Sequence, residues 1–329
     1  MNFSDARTNF KRPFAQWNGR DEEHSEGMAC ERIYQEFLPE FDPKFTIAND
    51  AHVYTIGSCF AWEIQRALNE RGFNVPDFYE DQRFSSVEGV KDGAFFTRFN
   101  IGSMHNEIRN LVDENFLGEK LLYGDNDKVL DVHFGTGRVQ GLGTRGEKLE
   151  ARSYFRGKAR DHLNKCDLFI ITLGLSEAFF DIEQGLYLNS APPARFALQN
   201  PERFEARLID YTESLKMLSE IRDMLKEIQP NIKMMVTVSP VALGNTFSGQ
   251  DVVVASGQDV VVANSQSKAI LRAVAGTFTA EHDDAFYFPS YEAVQYSDPE
   301  FAYRWDKRHV KKDMVSKIIN LFSRKVIVA

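Results

Sequence analysis

Residues 52–72 read HVYTIGSCFAWEIQRALNERG, an apolar run that ends in glycine and is followed by a helical pattern. The run at 52–57 is rich in β-branched and apolar residues, so it predicts a short buried strand. Apolar residues then recur at helical spacing until Gly72, which predicts a helix over 60–71. A tight turn at 57–59 joins the two elements.

Three later segments carry the same continuous apolar pattern, at residues 167–174, 233–239 and 285–288. Apolar runs without alternation are typical of strands buried on both faces, as in a parallel sheet covered by helices. Helical patterns lie between and after these runs, and we expect helices over 203–228, 264–277 and 310–323. Strands that alternate with helices predict an α/β fold.

No proline- or serine-rich linker divides the chain, so we predict one α/β domain over 49–329, preceded by an arm at 1–48. The arm carries many aromatic residues among its charges, which predicts a segment packed on the body rather than a disordered tail. Glycine-rich residues 118–146 predict a hairpin insertion. The sequence QDVVVA at 250–255 recurs at 258–263. Two copies are too few for a solenoid, so we interpret them as a hairpin or a local duplication.

The 329 residues carry 39 Lys and Arg against 48 Asp and Glu, a net charge of −9. This acidic balance argues against a nucleic-acid-binding protein, which would need a basic stripe to displace counterions from phosphates. The three cysteines are widely spaced and include no C-x-x-C pair, so they predict neither a disulfide framework nor a zinc site. Residues 1–14 have no apolar core, and no run approaches 18 apolar residues. We therefore expect no signal peptide and no membrane span, and a cytoplasmic location.

Ser58 lies in the turn between the first predicted strand and its helix. That position projects a side chain past the carboxyl end of the sheet, where open α/β folds bind ligands. The helix N-terminus leaves backbone N–H groups free and carries about half a positive charge, which can stabilise an oxyanion. Ser58 is therefore a candidate nucleophile, and a helix-capping serine is the alternative.

A reactive serine needs a base, and the base needs a carboxylate to orient it. Asp306 and His309 lie three residues apart before the last predicted helix, a spacing that brings both side chains to one side. The aspartate could then accept a hydrogen bond from one imidazole nitrogen while the other faces the serine. The alternative is a solvated helix start that Asp306 caps.

Cys59 offers a second candidate nucleophile, because a helix N-terminus lowers the pKa of a thiol. The alternative is a small buried apolar side chain. The other histidines show no metal-ligand spacing, and no glycine-rich nucleotide motif is present, so we expect no metal and no nucleotide cradle.

The pentapeptide Gly-Ser-Cys-Phe-Ala at 57–61 resembles the signature of the GSCFA family. Further segments that resemble the family follow in order at residues 172–174, 237–241, 264–268 and 287–292, and the Asp306-x-x-His309 pair closes the set. The GSCFA family is similar to the SGNH/GDSL hydrolases. This resemblance implies a three-layer α/β/α sandwich with a mostly parallel, flavodoxin-like sheet. It also implies Ser58 as nucleophile, His309 as general base and Asp306 as its orienting residue.

The chain departs from the family pattern at two places. Val310 and Lys311 follow His309, where the family commonly has Pro-Ser. Ser176 stands where the hydrolase superfamily places an oxyanion asparagine, and we expect it to donate there instead.

We expect the backbone N–H of Cys59 to contribute an oxyanion donor. Gly102 is the candidate for a second backbone donor, with Asn100 beside it as a side-chain donor.

The resemblance implies a serine acyl-ester enzyme, either an esterase or an O-acyltransferase. The expected substrate is a carbohydrate or polysaccharide precursor that bears an acyl group, with acetyl the expected one. No cofactor is required, although acyl-CoA could serve as co-substrate of a transferase. The alternative is a binding protein for a glycan or an acyl carrier that keeps the fold without turnover, in a polysaccharide-assembly system. The sequence leaves the oligomeric state open.

Overall fold

The computed structural model describes residues 2–76, 84, 96–124, 127–134, 141–247 and 258–328. Its strands are β1 Ile47–Ala48, β2 Val53–Gly57, β3 Leu122–Tyr123, β4 Lys128–Asp131, β5 Gly143–Thr144, β6 Leu168–Leu173, β7 Glu177–Asp181, β8 Leu186–Tyr187, β9 Phe204–Leu208, β10 Lys233–Val238, β11 Ala285–Tyr287 and β12 Ile327–Val328. Its helices are α1 Phe3–Asn9, α2 Ala29–Arg32, α3 Cys59–Asn69, α4 Ile101–Val112, α5 Arg145–Leu163, α6 Ala194–Gln199, α7 Tyr211–Ile228, α8 Val260–Glu281, α9 Ser290–Gln295, α10 Pro299–Ala302 and α11 Lys312–Val326.

The central sheet has four parallel strands in the order β11-β10-β6-β2. Its strands are the four that the apolar runs predict, each within two residues of the predicted bounds. In the sheet register Gly57 lies opposite Thr172, and Thr172 lies opposite Thr237. The carboxyl ends of β2, β6 and β10 therefore meet at one edge of the sheet.

Side chains from the two faces of the sheet pack into two separate cores. Tyr54 and Ile56 of β2 contribute to one core with residues of α4, α5, α7 and α8. Val53 contributes to the other, with residues of α3, α9 and α11. Because successive side chains of a strand point to opposite faces, this alternation places a helical layer on each side of the sheet. The predicted α/β fold with a mostly parallel sheet is confirmed.

The predicted helix over 203–228 is wrong in its first part. Residues 204–208 form strand β9, which pairs antiparallel with β7, and the helix begins only at Tyr211. Asp210 caps that helix by accepting a hydrogen bond from the Glu213 N–H at 2.8 Å. The spacing of Phe204 and Leu208 suits a helix, but pairing with a strand distant in sequence determines the local structure.

The predicted hairpin insertion contains three short antiparallel strands, in the order β3-β4-β5. Residues 125, 126 and 135–140 of this segment lie outside the described residues. In the repeated sequence, the first copy at 250–255 also lies outside them, whereas the second enters helix α8, which Asp259 caps. The second copy is therefore not half of a hairpin.

The N-terminal arm hydrogen-bonds to the segment between α9 and α10. The Tyr34 N–H donates to the Tyr296 carbonyl at 2.7 Å, and the Asp298 N–H donates to the Gln35 carbonyl at 2.8 Å. Strand β1 pairs in parallel with β12 at the far end of the chain. Among the described residues, no helix combines the length and apolar character needed to cross a membrane.

Candidate active site

The turn after β2 depends on a glycine. Gly57 has a φ of +152°, and a Cβ there would lie 2.6 Å from the carbonyl oxygen of Thr172. Only glycine has the conformational freedom and the small volume for this close approach between β2 and β6. The chain can therefore turn directly from the strand into helix α3.

Ser58 is the N-cap residue of α3, but its side chain makes no capping hydrogen bond. Its Oγ instead donates to the Oγ of Ser239 at 3.2 Å, and both residues are buried. Ser239 follows β10, and its Oγ accepts a hydrogen bond from the Val241 N–H at 3.2 Å. The candidate nucleophile is thus held by a second serine that sequence reasoning missed. Its segment, 237–241, belongs to the set that resembles the family, but nothing in it indicated this contact.

Asp306 and His309 form the pair that their spacing predicts. The Nδ1 of His309 lies 2.5 Å from the Oδ2 of Asp306, and Asp306 Oδ1 accepts from the N–H groups of Arg308 and His309 at 3.0 Å each. Lys307 has a φ of 51°, which closes the turn between the paired residues. These hydrogen bonds hold the pKa of Asp306 well below its usual range, and the bond from the His309 side chain has the largest effect. Asp306 therefore stays ionised, and the Nε2 of His309 is the ring nitrogen left to act as a base.

This pair lies at the carboxyl edge of the sheet. The Nε of Arg308 donates to the carbonyl of Ala242, three residues beyond Ser239, at 2.8 Å. The charge of Arg308 also acts on the thiol of Cys59, beside Ser58. Within the described ranges no hydrogen bond joins Ser58 to His309, whose Nε2 lies 3.5 Å from the Nη1 of Arg308.

The surroundings of the Cys59 thiol disfavour its reactive thiolate form. Its side chain packs against the core between the sheet and α11. Burial raises the pKa of this thiol, and the opposing effect of Arg308 is smaller. A raised pKa disfavours the thiolate that thiol chemistry needs.

Two of the expected oxyanion donors have structural roles. Asn100 caps α4: its Oδ1 accepts from the Ser103 N–H at 2.8 Å, and its Nδ2 donates to the Leu188 carbonyl at 2.9 Å. A Cβ on Gly102 would lie 2.5 Å from the side chain of Tyr187, so glycine is needed there for helix packing.

Ser176 lies just beyond β6, fully buried. Its N–H donates to the Oγ of Ser267 at 3.0 Å, whereas its own Oγ has no hydrogen-bond partner among the described residues. Its hydroxyl is therefore free of structural bonds to the described residues, unlike the amide of Asn100.

Lys268 is a residue of this region that sequence reasoning did not single out. It is 2% exposed, and its Nζ donates to the Gly174 carbonyl at 2.8 Å. A Cβ on Gly174 would lie 3.5 Å from the Cβ of Ser58, so the lysine reaches the loop that faces the candidate nucleophile. Burial lowers the pKa of Lys268 to about 7. Its segment, 264–268, resembles the family, but nothing in that segment predicts a buried lysine at the site.

A cavity of about 240 Å³ adjoins this loop. Phe99 lines it, and the Phe99 carbonyl lies 2.4 Å from the Cβ position of Gly174. The cavity is also lined by Asn100, Leu175, Glu177, Ala178, Phe179, Leu188, Asn189, Ser190, Ala191, Leu243, Asn245 and Phe247. A recess with apolar, amide and carboxylate side chains therefore lies next to the loop that carries Gly174. In the part of the chain that the structure describes, no group of three or more His, Cys, Asp or Glu residues could hold a metal ion.

The solved structures that are similar to this chain include two carbohydrate esterases of family 3. The Clostridium thermocellum enzyme is 13% identical with a TM-score of 0.34, and the match covers 83% of this chain and 92% of that one. The Talaromyces cellulolyticus protein is 10% identical with a TM-score of 0.35, and the match covers 84% and 98% of the two chains. Comparison with curated proteins returns no match.

The sequence model of the GSCFA family matches residues 52–322. This range begins with strand β2 and extends into α11, so it spans the whole central sheet and all the candidate site residues. The chain belongs to the GSCFA family.

Proposed function

We propose that the protein is a serine acyl-ester enzyme, an esterase or an O-acyltransferase, that acts on an acetylated carbohydrate or polysaccharide precursor. The observation that carries this proposal is the hydrogen-bonded Asp306–His309 pair at the sheet edge where Ser58 starts α3 without capping it. A serine, an imidazole and a buttressing carboxylate are the groups that acyl transfer needs. The carbohydrate substrate is proposed from the similarity of the GSCFA family to the SGNH hydrolases.

In the proposed reaction the Oγ of Ser58 attacks the acyl carbonyl carbon while the Nε2 of His309 takes the hydroxyl proton. Asp306 stabilises the resulting imidazolium, and the N–H of Cys59 at the start of α3 donates to the oxyanion. The protonated His309 then gives its proton to the departing alcohol oxygen. Water or a sugar hydroxyl attacks the acyl-enzyme in the same way and regenerates Ser58.

The hydrogen bond between Ser58 and Ser239 belongs to the resting site in this proposal. Catalytic hydrogen bonds are often absent or long before substrate binds. Substrate binding would turn the Oγ of Ser58 from Ser239 towards His309. Because Ser239 also accepts the Val241 N–H, it stays in place when Ser58 turns.

The acceptor of the acyl group distinguishes the two forms of the proposal. With water as acceptor the protein is an esterase; with a sugar hydroxyl it is a transferase. Acyl-CoA would be the donor of a cytoplasmic transferase. No further cofactor takes part in the proposed steps.

A second candidate function is non-catalytic binding of a glycan or an acyl carrier. The contact between Ser58 and Ser239 favours it, because the serine that should attack is bonded to a residue that cannot act as its base. Under this alternative the protein binds its ligand and forms no acyl-enzyme.

Acetylated xylo-oligosaccharides test the function, with and without acetyl-CoA and an unacetylated acceptor. We expect the wild-type protein to release acetate, or to move acetyl from CoA to the acceptor, and the Ser58→Ala variant to do neither. Ser265→Ala is the matched control, since Ser265 is an exposed helical serine. Equal turnover by Ser58→Ala would refute the proposal, and binding without turnover in the wild type would favour the second candidate.

A further inference from the structure

Cationic side chains in the turn before α11 differ in their partners. The Nη2 of Arg304 lies 3.4 Å from the Oε1 of Glu63, and Lys307 pairs with Glu300. Arg308 pairs with no carboxylate among the described residues. Among the described residues, its guanidinium donates to the Ala242 carbonyl, and its Nη1 lies 3.5 Å from the Nε2 of His309.

Helix α8 shows the same contrast. The Nε of Arg272 lies 2.7 Å from the Oε1 of Glu292. One turn earlier, Lys268 contacts the Gly174 carbonyl and, within the described ranges, no carboxylate. A buried ammonium has three donor hydrogens, and a single carbonyl satisfies only one of them.

These two cations lie on segments that are hydrogen-bonded to each other. The N–H of Leu243, next to the residue that Arg308 contacts, donates to the Oδ1 of Asn264 at 3.1 Å, and Asn264 lies one turn before Lys268 on α8. Burial is the largest effect on the pKa of Lys268, and the positive charge of Arg308 lowers it further. Both cations also act electrostatically on Cys59, the residue after Ser58. Arg308 and a protonated Lys268 repel each other, and burial strengthens that repulsion. A bound anion would remove this cost.

We propose that Arg308 and Lys268 form an anion subsite beside Ser58, which binds a carboxylate or a phosphate group of the carbohydrate substrate. This inference rests on the proposed function, because it specifies the substrate class of the same site. The ligand is an acidic saccharide rather than a neutral one.

The two cations have different roles in this subsite. Arg308 is half-buried, and a guanidinium presents a planar fork of donors that matches a carboxylate or a phosphate. A Cβ on Gly244 would lie 3.3 Å from the Nη2 of Arg308, so the glycine gives the guanidinium room. Lys268 is almost completely buried and adds positive potential from beneath the loop that carries Gly174.

Titration calorimetry on the Ser58→Ala protein tests the subsite without turnover. The probes are methyl glucuronide, methyl glucoside 6-phosphate and neutral methyl glucoside, which separate carboxylate from phosphate binding. We expect at least one acidic sugar to bind about tenfold more tightly than the neutral sugar, because a charged hydrogen bond is gained. Equal affinity for all three, or no binding of either acidic sugar, would overturn the proposal.

Variants in the same Ser58→Ala background identify the residues responsible. Arg308→Gln should abolish the preference for the acidic sugar, and Lys268→Met should reduce it. Arg304→Gln is the control, because this arginine lies in the same turn but is paired with Glu63. A preference that survives Arg308→Gln would contradict the assignment. These titrations measure binding and not turnover. A failure of the subsite is therefore distinguishable from a failure of the proposed reaction.

Discussion

The Nδ1 of His309 lies 2.5 Å from the Oδ2 of Asp306, in a turn whose backbone N–H groups also donate to the same carboxylate. The carboxylate thereby determines which ring nitrogen is protonated and how the ring is oriented. The pair is connected to the carboxyl edge of the sheet through Arg308, which hydrogen-bonds to the segment after β10.

Replacing Asp306 by asparagine should leave the fold intact and remove most of the activity. The amide can donate to Nδ1 and favour the wrong tautomer, so we expect kcat to fall by on the order of a thousandfold or more. Initial rates with p-nitrophenyl acetate measure this. Asp298→Asn is the control, since Asp298 caps the nearby helix α10. A fall of less than tenfold, with unchanged thermal stability, would count against a role for Asp306 in catalysis.

Ser239→Ala should lower kcat by about tenfold, because the Oγ of Ser58, without its partner, can take the rotamer that caps α3 and then faces His309 less often. It should also cost about 1–2 kcal/mol of unfolding free energy, since the Val241 N–H loses its acceptor. Ser290→Ala is a matched control: its Oγ forms an equally buried hydroxyl pair with Thr237 at 2.6 Å. Steady-state kinetics of both variants measures the effect on kcat, and denaturant melts measure the effect on the free energy of unfolding. Equal kcat values in the two variants would mean that Ser239 has only a structural role.

Cys59→Ala should keep the ability to form an acyl-enzyme, because burial raises the pKa of this thiol. Alkylation by iodoacetamide at pH 7, followed by peptide masses, gives a direct comparison of the thiols. We expect exposed Cys30 to react faster than Cys59, and Cys166 to react slowest, since burial raises its pKa to about 12. Faster labelling of Cys59 than of Cys30 would restore the thiol mechanism.

Lys268→Met should stabilise the protein at pH 6. Burial lowers the folded-state pKa of Lys268 to about 7, whereas the unfolded chain keeps a value of about 10.4. Between these values the unfolded state binds more protons, so the wild-type stability rises with pH. The positive charge of Arg308 lowers the pKa of Lys268 further, and the Cys59 thiol acts in the opposite direction.

The gain in unfolding free energy from Lys268→Met is therefore largest below pH 7, on the order of 3 kcal/mol, and it becomes smaller towards pH 10. Urea melts of both proteins at pH 6, 8 and 10 measure it. A gain that does not change with pH would mean that the folded protein does not depress the pKa of Lys268.

Local patterns in the sequence predict the strand–turn–helix unit around Ser58 and the Asp306–His309 pair. In each case the partners lie a few residues apart, so one helical turn or one tight turn brings them together. The four strands of the sheet are predictable for a related reason, because each is an uninterrupted apolar run. The order of the strands and their partners is not contained in such runs.

Contacts between distant segments could not be predicted. Ser58 and Ser239 lie 181 residues apart in sequence, and Lys268 lies 94 residues from Gly174. Strand β9 was missed for the same reason, because its partner β7 is brought to it by the fold. The capping role of Asn100 was equally invisible, since it depends on the Leu188 carbonyl.

The role of Ser58 as nucleophile is tested most directly by the intact mass of the protein after brief exposure to p-nitrophenyl acetate, followed by peptide mapping. Wild type, Ser58→Ala and Cys59→Ala are compared under the same conditions. We expect a single acetyl adduct on Ser58 in wild type and in Cys59→Ala, and none in Ser58→Ala. An adduct that persists in Ser58→Ala, or no adduct in the wild type, would contradict this role.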